Sequence, residues 1–351
     1  TWGTNKIIID SNGLNYQGDP DTYTVEYNTD GETLNIVYAD ATKGWIPLND
    51  DDVTDVPVAP PTQKALFGFG TSGSVTAVTN LVNSSGVIAT DVTGVGTARQ
   101  ELGAASYGGD KAIFAYGAGG GVYTAVSNLV TNVGVVGTDV TGVGTVRTTA
   151  EGAGYGVGLA IFAYGQNGGT DYNISNLVSN VGVVATDTAG VGEARVAANA
   201  AEYGVGLAIY GYGYTLSPSG NVSMTNKVSF TGVVASDVSG VGTARREIAA
   251  AAYGGDKAIF GFGIVSGKTG ITNLVSNTGV VAADVSGVGT ARSRLAGTNY
   301  GGDKAIFAYG TTGSDVSLSN LVSNSGVVAS DVTGVGTARS ALAAAGYSSS
   351  A

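Results

Sequence analysis

The chain has 351 residues, among them 58 Gly and 18 Tyr but no Cys, no His and one Met, with a formal net charge of −11. Lacking Cys and His, it has no disulfide framework, no thiolate or imidazole catalysis of the usual kinds, and none of the customary zinc ligands. Its 43% hydrophobic content is too high for a disordered polymer, and it has no basic cluster of the kind that neutralises nucleic-acid phosphates.

No apolar run approaches the roughly 18 residues of a membrane helix, so no membrane insertion is expected. No signal-peptide pattern is visible, and a start at Thr1 rather than Met reads as a processed or partial product.

Residues 1–48 share nothing with the remainder and hold both Trp residues, Trp2 and Trp45. Segments 22–27 and 33–38 alternate around Asn28-Thr29-Asp30-Gly31, which predicts a hairpin, with a third strand over 44–48. Three short strands bury little alone, so this reads as a β anchoring module that packs on a partner or forms a trimer. Residues 1–61 carry eleven acids against two lysines, so most of the net charge lies there. Residues 49–61 (N-D-D-D-V-T-D-V-P-V-A-P-P) form an acidic, Pro-rich spacer, kept extended by charge repulsion and proline.

Residues 62–351 are repetitive. An apolar strand begins at Lys64, Lys111, Leu159, Leu207, Lys257 and Lys304. A second marker, D-x-x-G-V-G-x-x-R, pairs Asp91 with Arg99, Asp139 with Arg147, Asp187 with Arg195, Asp237 with Arg245, Asp284 with Arg292 and Asp331 with Arg339. A Tyr follows each Arg at Tyr107, Tyr155, Tyr203, Tyr253, Tyr300 and Tyr347. Each copy divides into four strand-like pieces, for example 293–298, 304–309, 318–323 and 326–330, with tight-turn signals at Gly301-Gly302-Asp303 and Asn324-Ser325-Gly326. Four antiparallel strands about every 48 residues is the spacing of a β-propeller blade. The series opens with a second-type strand at Lys64 and ends with a first-type strand at 340–346. The expected fold is therefore all-β: a six-bladed β-propeller of four-stranded repeats, closed by the C-terminal strand. First-type strands are rich in Ala and Gly, as expected where strands converge. Phe114, Phe162, Phe260 and Phe307 on the next strand are the expected packing groups between blades.

The repeat resembles that of kelch and galactose-oxidase-like propellers in three features: an Arg before the first strand, a Gly-Gly turn (Gly301, Gly302), and an apolar second strand ending in Gly310. It departs from kelch in lacking the Gly pair after that strand and the later Trp, so the resemblance implies architecture and no function. The stretch T-L-N-I-V-Y-A-D-A-T-K-G-W-I-P-L at 33–48 and the N-L-V-S-N-x-G-V-V-A runs resemble virion fibre and appendage proteins of tailed phages, especially those of marine cyanobacteria. That resemblance implies a non-enzymatic extracellular virion component, attached to other virion proteins through residues 1–48 and displaying the repeats for host attachment.

No catalytic constellation, metal site or cofactor site is placed by spacing. The six G-V-G runs read as turns, because no Walker lysine or helix follows them. The repeated Asp and Arg could line a channel; the favoured reading is structural, with Asp capping a turn and Arg bonding between blades. Asp110, Asp256 and Asp303 read as solvated turn residues, since single carboxylates on separate blades make a poor Ca²⁺ cage. A polysaccharide-cleaving pair such as Glu202 and Asp171 is the least favoured reading.

Copies differ most in the loops after the second-type strand, at 71–75, 118–123, 166–173, 214–223, 264–270 and 311–316. Their candidate ligand-binding residues are Tyr123, Asn167, Asp171, Tyr172, Tyr214, Lys268 and Asp315, suited to a host-surface glycan or protein. A lectin-like propeller outside any virion is the alternative.

Overall fold

The structure is a computed structural model describing residues 6–20, 25–27, 34–48 and 63–347. The chain divides into two compact units, Thr1–Pro60 and Pro61–Ala351. All described regular structure is β, with no helix among the described residues.

The first unit has two strand pairs. Ile7–Ile9 lies antiparallel to Val25–Tyr27, and Ile36–Asp40 to Gly44–Pro47. This corrects the expected hairpin, in which 22–27 paired with 33–38. Val25 and Tyr27 are instead buried beside Tyr16, whose hydroxyl lies 2.6 Å from that of Tyr27, and Lys6 bridges Glu26 at 2.6 Å. The partner strand is an unbroken Ile7-Ile8-Ile9 run, which carries no alternation for a reader to register. The Asn28–Gly31 turn, Trp2 and the 49–61 spacer lie outside the described residues.

The second unit holds six three-stranded antiparallel sheets. Five are consecutive in the chain, as in Gly103–Tyr107, Lys111–Ala115 and Ser127–Val130. The sixth joins the two ends of the unit: Ala343–Tyr347 pairs with Lys64–Gly68, which pairs with Thr79–Val82. The first strand of each sheet lies beside that of the next, and Ala343–Tyr347 lies beside Gly103–Tyr107.

The expected fourth strand is corrected as well. Its backbone meets the third strand only at isolated bridges, Val82↔Ile88 and Thr79↔Val92 in one copy. Between those bridges it carries one residue more than its partner, the geometry of a bulge, which interrupts the ladder. The side chain of Asn80 fills the gap, donating through Nδ2 to the Ala89 carbonyl at 3.0 Å and to Asp91 Oδ1 at 2.9 Å.

Sheets pack through aromatic rings. The sixth residue from the start of each second strand is aromatic and left-handed, with φ of 63–65° at Phe69, Tyr116, Tyr164, Tyr212, Phe262 and Tyr309. Each ring packs edge-on against the second strand of the next sheet: Phe69 on Phe114 at 5.1 Å, and so on to Tyr309 on Phe67 at 5.4 Å. The repeat arginines cover these rings, with Arg99 4.3 Å from the Phe69 centroid and Arg339 4.2 Å from that of Tyr309. The repeat tyrosines serve the same junctions. Tyr300 lies so close to Gly86 (φ +81°) that a Cβ there would come within 2.7 Å of the ring.

The repeat aspartates tie the segment that enters each sheet to the one that leaves it. Asp139 accepts from the Thr97 amide and hydroxyl, at 3.1 and 2.6 Å, and Asp91 accepts in the same way from Thr337, at the sheet built from the two ends of the unit. At Asp237 the donor residue is Glu193, which supplies only its amide. Burial by itself would raise the Asp91 pKa, but hydrogen bonds from Thr337 and Asn80, with the Arg339 charge, outweigh it and hold the group below the usual carboxylate range. The same balance holds at Asp139, Asp187, Asp284 and Asp331. A depressed folded-state pKa gives stability above the unfolded value of 3.8 that is lost as pH falls through the folded value. The contribution of these five aspartates should therefore be flat from pH 7 to 5, and the melting temperature should drop steeply below about pH 4 as it is lost. In an Asp91→Asn variant that drop should be shallower, as read by thermal scans across that range.

Candidate functional site

The residue two places after each repeat Arg is Glu101, Thr149, Ala197, Glu247, Arg294 or Ala341, and all six are left-handed, with φ of 50–55°. For non-Gly residues that conformation costs roughly 1–2 kcal/mol each. It is offset by hydrogen bonds between these residues: Thr149 N–H donates to Glu101 O at 2.7 Å, Glu101 to Ala341 at 2.9 Å, Ala341 to Arg294 at 2.9 Å, Arg294 to Glu247 at 3.1 Å, and Glu247 to Ala197 at 3.1 Å. Strain concentrated at one place in all six units marks it as a candidate site.

These residues rim a cavity of about 240 Å³, walled by the starts of all six first strands. Past Ala104, Gly152, Ala200, Gly297 and Ala344 it narrows to a space of about 40 Å³ between small side chains. The Ala- and Gly-rich composition of the first strands is what leaves this space open. Glu202 lines the narrow part, where burial raises its pKa against the opposing hydrogen bond from the Gly154 amide.

The rim is polar and uneven. Arg294 pairs with Glu101, and Glu247 accepts from the Ser293 hydroxyl at 3.0 Å. Arg246 donates to Asn221 Oδ1 at 2.9 Å and lies 5.1 Å from the centroid of the Tyr214 ring. Gln166 and Asn199 also line the wall. Glu151, the first residue of its strand, has a carboxylate without a hydrogen-bonding or ion-pairing partner among the described residues, and burial pushes its pKa from 4.5 up to about 8. The nearby Thr149 hydroxyl is buried and also without a partner.

A raised carboxyl pKa means that the folded chain holds a proton that the unfolded chain releases above pH 4.5. Glu151 therefore costs stability as pH rises from 4.5 to 8. Glu151→Gln should leave the melting temperature unchanged at pH 4 and raise it at pH 8.5. The gain is about 1–3 kcal/mol once solvent in the cavity is allowed for, as read by denaturant titration at both pH values.

Of the loop residues named from sequence, only Tyr214 lines the cavity. Tyr123 pairs with Ala118 in a short hairpin, and Asn167 and Asp171 lie in the hairpin Gln166–Asn167/Thr170–Asp171. Asn167 donates to the Val146 carbonyl at 3.0 Å, and Asp171 accepts from the Leu216 amide at 3.2 Å. The Tyr172 amide donates to Gly165 O at 2.8 Å, while Lys268 and Asp315 bridge to Ile264 and Thr311. Asn167, Asp171 and Tyr172 share one unit, and the other four residues stand each on a unit of its own. Asp171 is likewise absent from the wall that Glu202 lines.

The repeat arginines are fully buried and bond to carbonyls of their own unit, as Arg147 does to Tyr164 O at 2.8 Å and to Asn176 Oδ1 at 2.7 Å. They line no channel. Asp110, Asp256 and Asp303 each pair with the lysine that follows, at 2.6–3.3 Å. Sequence reasoning passed over Glu101, Thr149, Glu151, Arg246, Glu247 and Arg294. For Glu101, Thr149, Glu247 and Arg294 the signal was the contrast at one register, since the second residue after the repeat Arg is Glu, Thr, Ala, Glu, Arg and Ala in turn; Glu151 and Arg246 lie off that register. No protein-family model and no curated protein matches this sequence.

Proposed function

We propose that this chain is a non-enzymatic attachment protein: a closed six-bladed β-propeller, carried on a small N-terminal β module, that binds through the open cavity at its centre. Closure is supported by one observation above the others. The sheet built from the two ends of the unit keeps the strand pairing and the aspartate bond of the other five. The contacts that join each sheet to the next recur on both its sides, at Tyr309–Phe67, at Phe69–Phe114, and where Ala343–Tyr347 lies between Ala296–Tyr300 and Gly103–Tyr107. Binding is supported by the strained polar rim, where variable side chains stand on an otherwise repeated frame.

The resemblance of 33–48 and of the repeats to tailed-phage appendage proteins favours a virion component, held by other virion proteins or by trimerisation through residues 1–48. Mass spectrometry and cryo-electron microscopy of purified particles test this: the chain should be present in fixed stoichiometry as a six-fold disc, and its absence would sink the virion reading. A lectin-like propeller outside a virion is the second reading, favoured by the hexose-scale cavity and by Tyr214 on its rim.

A further inference from the structure

The charges around the cavity do not balance. Its wall holds three carboxylates, Glu101, Glu151 and Glu247, and two guanidinium groups, Arg246 and Arg294. Arg294 is committed to Glu101, while Arg246 is held by Asn221 and the Tyr214 ring. Glu247 has the Ser293 hydroxyl. Glu151 is the one charged group of this wall whose side chain has no hydrogen-bonding or ion-pairing partner among the described residues.

An unpaired, half-buried carboxylate set in a cavity wall is costly unless it is protonated or meets a cation. No group of three or more acidic side chains converges among the described residues, so a divalent ion would find too few oxygen ligands. An anionic ligand would be repelled, and a neutral one would leave Glu151 as it is. The cavity, at about 240 Å³, exceeds a bare ammonium ion and matches a body the size of one hexose or one amino-acid residue.

We propose that the cavity binds a ligand through a primary ammonium group seated on the Glu151 carboxylate. The inference rests on the reading of the chain as a binding protein and names the chemistry of its ligand. Two sources share that chemistry: a de-acetylated amino sugar of a surface glycan and a lysine side chain. Binding requires Glu151 to ionise. The groups facing it are Tyr210, whose hydroxyl donates to the Glu151 carbonyl at 3.1 Å, and Glu101, Glu247, Arg246 and Arg294 around the cavity. None of these supplies a competing charge partner. Each tenfold rise in the ionised fraction of Glu151 tightens binding in proportion, so affinity should increase about tenfold from pH 6 to pH 7. Above about pH 8 it should level off for a lysine amine, which stays protonated, and fall for an amino sugar, whose weaker amine loses its proton.

The test is calorimetric titration of the full chain with glucosamine, with Nα-acetyl-lysine methylamide, and with N-acetylglucosamine as the neutral counterpart. At least one amine should bind one-to-one with that pH dependence, and N-acetylglucosamine should give no heat. Glucosamine alone binding identifies an amino sugar as the source, and the lysine derivative alone identifies a peptide. At pH 6.5, titrations in buffers of different ionisation enthalpy should report release of close to one proton per amine bound. Glu151→Gln should weaken amine binding at least tenfold. Equal binding of N-acetylglucosamine, full affinity in the Gln variant, no proton release, or no heat from any probe at millimolar concentration would each overturn the proposal. If the Gln variant does not fold, the proton count on the unmodified chain decides. Neutral-sugar binding would leave the broader attachment reading standing, and that reading is judged separately by the particle experiments.

Discussion

A chain ending at Arg339 should lose cooperative folding. The deletion removes Ala343–Tyr347, which supplies five of the residue pairs of the sixth sheet, from Tyr347↔Lys64 to Ala343↔Gly68. It also removes Leu342, Ala343, Ala345 and Tyr347 from the core and uncovers Leu66 and Phe67, both now fully buried. Side chains of this kind contribute roughly 1.5–3 kcal/mol each when buried. Their sum approaches the roughly 5–15 kcal/mol that separates a typical folded domain from its unfolded state. The lost strand would also leave Lys64–Gly68 as an open sheet edge, prone to pairing with other chains. Near-UV circular dichroism and size exclusion should report loss of fixed tertiary structure, together with association. A sharp transition within a few degrees of the full chain would mean that the six units stand as an open array.

The second large effect is at a single buried arginine. Arg292 is fully buried, donates from Nε to Tyr309 O at 2.9 Å and from Nη2 to Asn320 Oδ1 at 2.7 Å, and covers the Phe262 ring at 4.4 Å. Burial pulls its pKa down to about 10, so it remains charged at neutral pH. Replacement by Ala leaves two buried acceptors without donors, each costing about 1–3 kcal/mol, and removes the stacked plane. The expected loss is about 3–5 kcal/mol in urea titration. Arg292→Lys should cost nearly as much, because one ammonium cannot serve two divergent acceptors and stack flat on a ring. Arg246→Lys, at the half-buried cavity rim, should cost less than about 1 kcal/mol. Equal effects at the two sites would refute a structural role for the repeat arginine.

Repetition made the frame legible in the sequence. Six registered copies fixed the start of every second strand and placed the first strands to within three residues, along with the complementary end fragments and the aromatic packing at Phe114 or Phe307. In the fourth copy the expected loop 214–223 is instead taken up largely by the long strands Leu207–Leu216 and Ser219–Val228. The N-terminal pairing was not legible, because Ile7–Ile9 finds its partner through tertiary burial of Tyr16 and Tyr27 rather than through alternation. The broken fourth strand was missed for a related reason. Its V-V-A-x-D-V composition favours a strand, and the single extra residue against the third strand emerges only once the register is known. The candidate site was passed over because attention to variation went to loop length. Variation at one fixed position, next to the most constant residue of the repeat, held more information. Even so, a cavity walled by residues from six separated segments has no local signature.

The run of five main-chain hydrogen bonds along the rim of that cavity carries a further consequence. Amides and carbonyls set the positions of Glu101, Thr149, Ala197, Glu247, Arg294 and Ala341, so the backbone holds its shape whichever side chain stands there. Under the proposed binding role, recognition is thereby uncoupled from folding. The six positions behave as sockets into which different groups can be plugged without renegotiating the core, and the chain already carries four kinds of side chain in them. Such an arrangement lets a ligand preference drift quickly over evolutionary time on an unchanging support, and it gives the protein engineer a ready-made radial library.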